Sequence, residues 1–342
     1  MAKSQRAVSI RDVATLAGVS VGTVSNVLNR PDMVAPLTRE RVEAAVEKLG
    51  FVRNESARHL RAGRSRMIGL VVLDAANPFF TDIARGVEDV AAEAGSQVVL
   101  GNSNENTDRE TSYLRLFEET RVQGLLISPV RAETPRLARL RARGIPVVLV
   151  DRDSELADRC SVSVDDVLGG RLAVEHLLQT GHRHIAVVGG PPEIRQVTER
   201  RAGAAEAARQ FGTDVRLDVV DTRALTISAG SAAGDRLAGT PPGDRPSAVF
   251  ALNDLIALGL LQALTRHGLK VPQDVAIIGY DDIDFAAAAA IPLSSVRQPR
   301  EDLGRRAAEL LLDEITNPNT HQHQRLVFQP DLVVRESTAH PA

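Results

Sequence analysis

From Met67 onward the chain repeats one pattern: a short run that is almost continuously Val, Ile and Leu, then a segment with helical spacing of apolar residues. The runs are "MIGLVVLD", "QVVLGN", "GLLISPV", "IPVVLVD", "HIAVVGG", "RLDVVD", "SAVFALND" and "VAIIGYDD". A strand with one wet face alternates apolar and polar residues. A strand apolar throughout is covered on both faces, as parallel strands between helical layers are. The helical segments fall at 82–94, 108–120, 166–180, 228–237 and 254–267, several ending on a glycine such as Gly95, Gly181 or Gly268. Repeated strand–helix units of this kind predict doubly wound parallel sheets.

A body of this length exceeds one ordinary core, and about equal numbers of units lie before and after residue 160, so two similar lobes are expected. "CSVSVDD" around residue 160 reads as one crossing between them, with "LSSVRQP" (293–299) and "LVFQPDLVVRES" as two more. This places lobe 1 at about 67–162 and 296–325, and lobe 2 at about 163–295 and 326–342. Ligands of doubly wound folds bind beyond the carboxyl ends of the strands. Those ends carry Asp74, Asn77, Phe79 and Phe80; Asn102 and Ser103; Asp151 and Arg152; Asn253 and Asp254; and Tyr280, Asp281 and Asp282. Carboxylates and amides beside two phenyl rings suit a ligand with many hydroxyls and one apolar face, such as a sugar. Asp82, Asp166 and Asp254 precede or open helices, so helix capping competes with a ligand role at each.

The residues before Met67 are of another kind. Residues 1–66 carry 12 Lys/Arg against 6 Asp/Glu, whereas the whole chain is at −3. A basic head on an acidic body suits a polyanion-binding module. Ile10, Val13, Ala14 and Ala17 make one apolar helical face behind a Ser9 cap, and Gly18 ends it. Ser20 caps a second helix with Val24, Val27 and Leu28 inward, and Thr38 is expected to cap a third that ends at Gly50. Helix, glycine turn, helix and supporting helix form the helix-turn-helix plan, whose second helix reads the DNA major groove. Its outward face holds Ser20, Thr23, Ser25, Asn26 and Asn29, short donors and acceptors fitted to phosphates and base edges, while Val21 and Gly22 leave little bulk. Ser9, Ile10, Arg11 and Thr38 complete the expected DNA-facing set. Asn54 to Gly63 then spells one short helix with Ala57 and Leu60 on its apolar edge, marginal alone and suited to pair with a copy of itself or wedge a minor groove.

Other chemistries fail on context. Gly18-Val19-Ser20-Val21-Gly22 is formally G-x-S-x-G, but a helix rather than a strand leads into it. No dinucleotide fingerprint or Walker loop follows a strand, so no cofactor and no catalysis are expected. The pairs His182/His184 and His321/His323 have no carboxylate at helical spacing, and although a strand could aim both imidazoles one way, no metal is assigned to either. The single cysteine, Cys160, reads as inert and fits a reducing cytoplasm. Neither a secretory h-region nor a membrane-spanning run is present.

The stretches "VSIRDVATLAGVSVGTVSNVLN", "TRERVEAAVEKLGFVRN", "SARHLRAGRS", "IGLVVLDAANPFF", "GHRHIAVVGG" and "VAIIGYDDID…PLSSVRQP", in that order, resemble the LacI/GalR family of bacterial transcription regulators over nearly the whole chain. The resemblance implies a helix-turn-helix head at 1–53, a hinge helix and linker at 54–66, and a two-lobed core of the periplasmic sugar-binding type (type I) at 67–342. It implies a homodimer, or a dimer of dimers, on a pseudo-palindromic operator; a cytoplasmic, nucleoid-associated repressor with a sugar effector is expected, relief of repression being favoured over corepression. By the same resemblance Asn54, Ala57 and Leu60 belong to the hinge helix, and Phe79, Phe80, Asp151, Arg200, Asp254 and Asp281 fall where effector groups lie. Asn77, Arg152 and Asn253 complete the expected effector set. Two departures stand out. Asn26 occupies a position where well-known members carry larger or charged base readers, and Leu225 stands where purine-responsive members carry a stacking aromatic. No leucine heptads follow Pro330, which favours a dimer over a tetramer.

Overall fold

In the computed structural model, residues 8–51, 65–131, 134–154 and 157–339 are described. The chain divides into two compact units, Met1–Arg64 and Ser65–Ala342.

The first unit contains α1 (Ile10–Ala17), α2 (Val21–Asn29), one 3-10 turn (Pro31–Met33) and α3 (Pro36–Leu49). Val13, Ala14, Ala17, Val24, Val27, Val42 and Ala45 interlock as its core. Ser9 caps α1 reciprocally: its backbone N–H donates to Asp12 Oδ2 at 2.8 Å, while its Oγ accepts from the Asp12 N–H. Such a box removes two unsatisfied donors at the helix start. Gly18 closes α1 with φ +65°, and the Arg41 guanidinium donates to the carbonyls of Ala17 and Gly18, tying α3 to the end of α1. Thr38 is not a cap. The third helix starts two residues earlier, at Pro36, whose fixed φ suits a first helical position, and Thr38 lies inside the first turn. Asn54, Ala57 and Leu60 fall outside the described residues.

The second unit holds two six-stranded sheets. In the first lobe β1 (Met67–Val72), α4 (Pro78–Glu93), β2 (Gln97–Asn102), α5 (Thr107–Thr120), β3 (Gly124–Ile127), α6 (Pro135–Ala142), β4 (Val147–Val150) and β5 (Ser161–Val164) alternate. The second lobe continues with α7 (Asp166–Gln179), β6 (His184–Val188), α8 (Arg195–Phe211), β7 (Arg216–Val220), α9 (Ile227–Ala238), β8 (Ala248–Ala251), α10 (Asp254–Arg266), β9 (Ala276–Asp281), the short α11 (Asp284–Ala287) and β10 (Ser294–Arg297). The chain then returns through α12 (Arg300–Thr316) to β11 (Arg325–Phe328) in the first sheet, and ends at β12 (Asp331–Val333) in the second. The strand orders are β11-β5-β4-β3-β1-β2 and β12-β10-β9-β8-β6-β7. All pairings are parallel except that of β12 with β10.

The crossings fall a few residues from the expected bounds. Val164 pairs with Phe328 and Arg297 with Asp281, so 163–164 and 326–328 belong to the first sheet and 296–297 to the second. The apolar runs earn their composition from both faces: Ile68 and Leu70 pack with Phe79, Ile83 and Leu311, whereas Val71 packs with Leu114, Phe117 and Leu137 on the other side. Each such buried side chain contributes roughly 1.5–3 kcal/mol. Helices α7 and α8 meet backbone to backbone. A Cβ at Gly170 would lie 2.0 Å from the Arg200 carbonyl oxygen, and one at Gly203 1.9 Å from that of Val167. That contact fixes where α8 carries Arg200. Among the described residues no helix is long and apolar enough to cross a membrane.

Candidate functional site

On the head, Ser20 opens α2 by accepting from the Thr23 N–H at 3.0 Å, and its Oγ lies 2.9 Å from Thr23 Oγ1. Val21, Gly22, Asn26 and Asn29 are exposed, while Thr23 and Ser25 are half-buried. Asn29 Nδ2 donates to the Ser25 carbonyl at 2.8 Å and to its Oγ at 3.2 Å. The open side of α2 is therefore polar, short and pre-ordered by local hydrogen bonds, with Val21 as its one large apolar side chain, 42% exposed. At the start of α1, Arg11 is exposed, and Ser9 and Ile10 are half-buried.

In the body, a cavity lies between the lobes at the carboxyl ends of the strands, on both sides of the points where the strand order reverses (β2-β1-β3 and β7-β6-β8). Its space, open solvent included, is about 430 Å³. Asp74, Asn77, Phe79, Phe80, Glu105 and Asp151 line it from the first lobe, and Gln196, Arg200, Leu225, Asn253 and Asp281 from the second. It continues outward into a wider cleft past Asn104, Arg131, Glu193 and Arg223. Phe79 and Phe80 meet edge to face with centroids 5.0 Å apart, giving the apolar wall.

Arg200 anchors the polar wall. It is 4% exposed and donates from Nε to Asp166 Oδ1 at 2.7 Å and from Nη1 to the Leu252 carbonyl at 2.6 Å. Its guanidinium stacks 3.6 Å from the Tyr280 ring centre and 3.8 Å from Asp281 Oδ1. Asp281 accepts from Gln298 Nε2 at 2.8 Å and, across the cleft, from Asn77 Nδ2 at 3.3 Å. A second bridge joins the lobes where Gln196 Nε2 donates to the Asp151 carbonyl at 2.6 Å and to its Oδ2 at 2.8 Å. Burial pushes the Asp281 carboxyl up to about 6 against the pull of Arg200, and raises Asp151, with the Asp166 charge adding to it. Glu105 is pushed up to about 7 by burial and by neighbouring Asp74. Asp151 and Asp281 have φ of +55° and +104°. Non-glycine residues in this region are costly and cluster at ligand sites. Asp151 Oδ1 and Gln298 Oε1 are buried acceptors without a protein donor among the described residues.

Not every expected effector residue reaches the cavity. Asp254 is wholly buried behind it and is spent on Ser295 Oγ at 2.7 Å and the Ile283 N–H at 2.8 Å, so its role is to clamp the turn after β9. Arg152 is not among the lining residues; its neighbours are Arg195, Glu199 and Glu110. Asn253 lines the cavity while also capping α10, its Oδ1 accepting from the Ile256 N–H at 2.9 Å. The capping alternatives resolve differently at each site. The caps of α4 and α7 are Asn77 and Asp165, which leaves Asp82 to pair with Arg300 at 2.7 Å and Asp166 to pair with Arg200. Gln196 and Glu105 were not expected. A signal for the wall they share with Arg200 exists on α8, where Val197, Arg200, Ala204 and Ala207 are all buried. A charged residue at an inward position of a helical apolar face announces a buried partner.

A compact helix-turn-helix unit joined to a two-lobed body with a polar cavity is the build of a ligand-responsive DNA-binding regulator. Comparison with known proteins agrees. Residues 9–54 match the model of bacterial regulatory proteins of the lacI family, and 174–338 that of the periplasmic binding protein-like domain. The chain is 35% identical over 335 residues to the HTH-type transcriptional repressor PurR of Photobacterium profundum, covering 96% of this chain and 98% of that one. It is also 35% identical over 330 residues to the ribose operon repressor of Escherichia coli, covering 96% and 99%. Among solved structures, a complex of the regulator CelR with cellobiose matches with TM-score 0.70 at 35% identity, covering 96% and 99% of the two chains. The Lac repressor dimer bound to operator and an anti-inducer matches with TM-score 0.80 at 26% identity, covering 98% and 100%. The chain belongs to the LacI family and is a DNA-binding transcription regulator.

Proposed function

We propose that this regulator acts in the cytoplasm as a homodimeric repressor of sugar-utilisation genes. A sugar held in the inter-lobe cavity sets its affinity for a pseudo-palindromic operator. The observation that carries the reading is the cavity lining: a phenyl wall from Phe79 and Phe80 faces Asp151, Asp281, Arg200 and Gln196. Such a wall takes a ring face while the opposite groups take its hydroxyls. Leu225 lines the cavity where a flat base would need an aromatic to stack on, which favours a sugar over a purine. The sugars bound in similar solved structures, ribose and cellobiose, set the first panel to try.

The mechanism follows from the two cross-cleft bridges. A ligand that competes for Asp281 and Asp151 changes how the lobes are held by Asn77 and Gln196, and so their relative rotation. In a dimer that rotation shifts the spacing of the two short helices around Asn54, Ala57 and Leu60, which form only against a partner. With them in place, Leu60 wedges the minor groove while Ser20, Val21, Gly22, Thr23, Ser25, Asn26 and Asn29 face the major groove. Ser9, Ile10, Arg11 and Thr38 approach the phosphates. Coupling of about 1–3 kcal/mol changes operator affinity roughly 5- to 150-fold.

The test is capture of fragmented genomic DNA by the full chain at physiological salt, with and without each sugar. Retention of a few sites sharing a palindrome, and their release by one sugar, is the expected result. Full sugar binding with only sequence-blind DNA retention under every condition would overturn the regulatory reading.

A further inference from the structure

Away from the cavity, four side chains of unlike chemistry converge in the first lobe. Cys160 precedes β5, Glu314 lies in the last turn of α12, and His321 and His323 lie in the loop that leads to β11. One ligand-type atom from each lies within 4.8 Å of all the others. Cys160 Sγ is 3.2 Å from His321 Nε2 and 3.9 Å from His323 Nδ1. Glu314 Oε2 is 4.0 Å from each imidazole nitrogen. In a tetrahedral zinc site, bonds of about 2.3 Å to sulfur and about 2.1 Å to nitrogen or oxygen hold neighbouring ligand atoms roughly 3.4–3.7 Å apart. The separations of 3.2, 3.9, 4.0 and 4.0 Å lie close to those values, and no pair exceeds 4.8 Å, so a modest contraction would close the site.

The surroundings fit the same chemistry. Glu314 Oε2 is a buried oxygen with no hydrogen-bond donor among the described residues. The far nitrogen of His321, Nδ1, is held by Asp313 Oδ2 at 2.6 Å, leaving Nε2 aimed at the cluster. A carboxylate behind a ligating imidazole fixes its orientation and tautomer in metal sites. The Gln324 N–H points at Cys160 Sγ from 3.3 Å. The other His-x-His pair shows what spent imidazoles look like: His182 is bonded to Ser247 and His184 to Asp218.

We infer that Cys160, Glu314, His321 and His323 form a closed four-ligand site for a zinc-class divalent ion. Thiolate and imidazole ligands select zinc or its congeners over magnesium or calcium. Four protein ligands leave no open position, so the ion would be structural, and Cys160 is fully buried, out of reach of a substrate. Its place is the amino-terminal end of β5 and β11, opposite the strand ends that line the cavity. There it would staple the returning α12–β11 segment to the edge of the first sheet. From the sequence no metal is expected and Cys160 reads as inert, because the three segments meet only once β11 pairs with β5.

The test uses the full chain, stripped with a chelator and titrated with Co²⁺ as a spectroscopic probe, then with Zn²⁺ as competitor. One Co²⁺ per chain, with a sulfur-to-cobalt charge-transfer band and tetrahedral ligand-field bands that Zn²⁺ abolishes, is the expected result. Cys160→Ser should remove the charge-transfer band. Asp313→Asn should weaken binding about 10- to 100-fold through the lost outer hydrogen bond. His323, whose side chain is 30% exposed, can become Gln without disturbing the core, and that change should weaken binding at least ~10-fold. A weak octahedral-type spectrum, a charge-transfer band that survives Cys160→Ser, or unchanged affinity in His323→Gln would overturn the assignment.

Discussion

Replacing Arg200 by Met keeps the length and apolar bulk of the side chain and removes only the charge and its donors. At 2.7 Å from Asp166 and 3.8 Å from Asp281, the guanidinium attracts the two carboxylates by about 6 and about 4 kcal/mol gross at an effective dielectric near 20. Its own burial offsets much of that. Removing one member of a buried ion pair nevertheless costs about 3–5 kcal/mol, because the survivors stay buried without compensation. For a body of this size that corresponds to a fall of roughly 6–20 °C in Tm. The deficit should depend on pH. Without the cation, Asp281 and Asp151, raised by burial and no longer held down by Arg200, bind protons in the native state that the unfolded chain releases, so the variant gains stability relative to the parent as pH falls from 8 to 5. The assay is urea unfolding followed by circular dichroism at both pH values, with Arg200→Lys as a partial rescue that keeps charge but not the planar fork. A loss below about 1 kcal/mol, or an equal loss at both pH values, would refute the argument. The head is a separate compact unit, so operator binding without effector should survive while the effector response is lost.

Three further outcomes are expected. Asp281, raised to about 6 by burial, makes the native state lose stability as pH rises from about 4 through 6, by about 3 kcal/mol for a shift of roughly two units; Asp281→Asn should flatten that slope, and an unchanged slope in denaturant midpoints counts against it. Asn26→Ala should cost about 1–3 kcal/mol on operator DNA and leave random-sequence affinity and its salt slope alone, which fluorescence anisotropy at several salt concentrations would read. Gly203→Ala places a Cβ against the Val167 carbonyl and should destabilise the second lobe by about 1–3 kcal/mol or more, with weaker effector binding by calorimetry because Arg200 shifts with α8.

The layered body was legible because strands buried on both faces leave continuous apolar runs, and Ile68 to Val72 needed no other clue. Head helices were legible from caps: Ser9 and Ser20 act as caps, while Thr38 misled because Pro36 outranks a threonine two residues inside the helix. Strand ends gave Asp151 and Asp281 but also offered Asp254, whose carboxylate turned inward. Nothing in a linear pattern says which side of a turn a carboxylate serves. Arg200 lies mid-helix, far from any strand end, and is legible only through family resemblance. The Cys160 cluster was illegible for a different reason. Cys160 lies more than 150 positions of chain from the other three members, and only the pairing of β5 with β11 brings them together.

That pairing also sets an order of events during synthesis. The head is finished once residue 51 has left the ribosome, whereas the first sheet lacks an edge strand until residue 328. At roughly 5–20 residues per second, the interval is on the order of 15–55 s. For that time each new molecule carries a folded DNA-binding head on a body that has not yet acquired its switch.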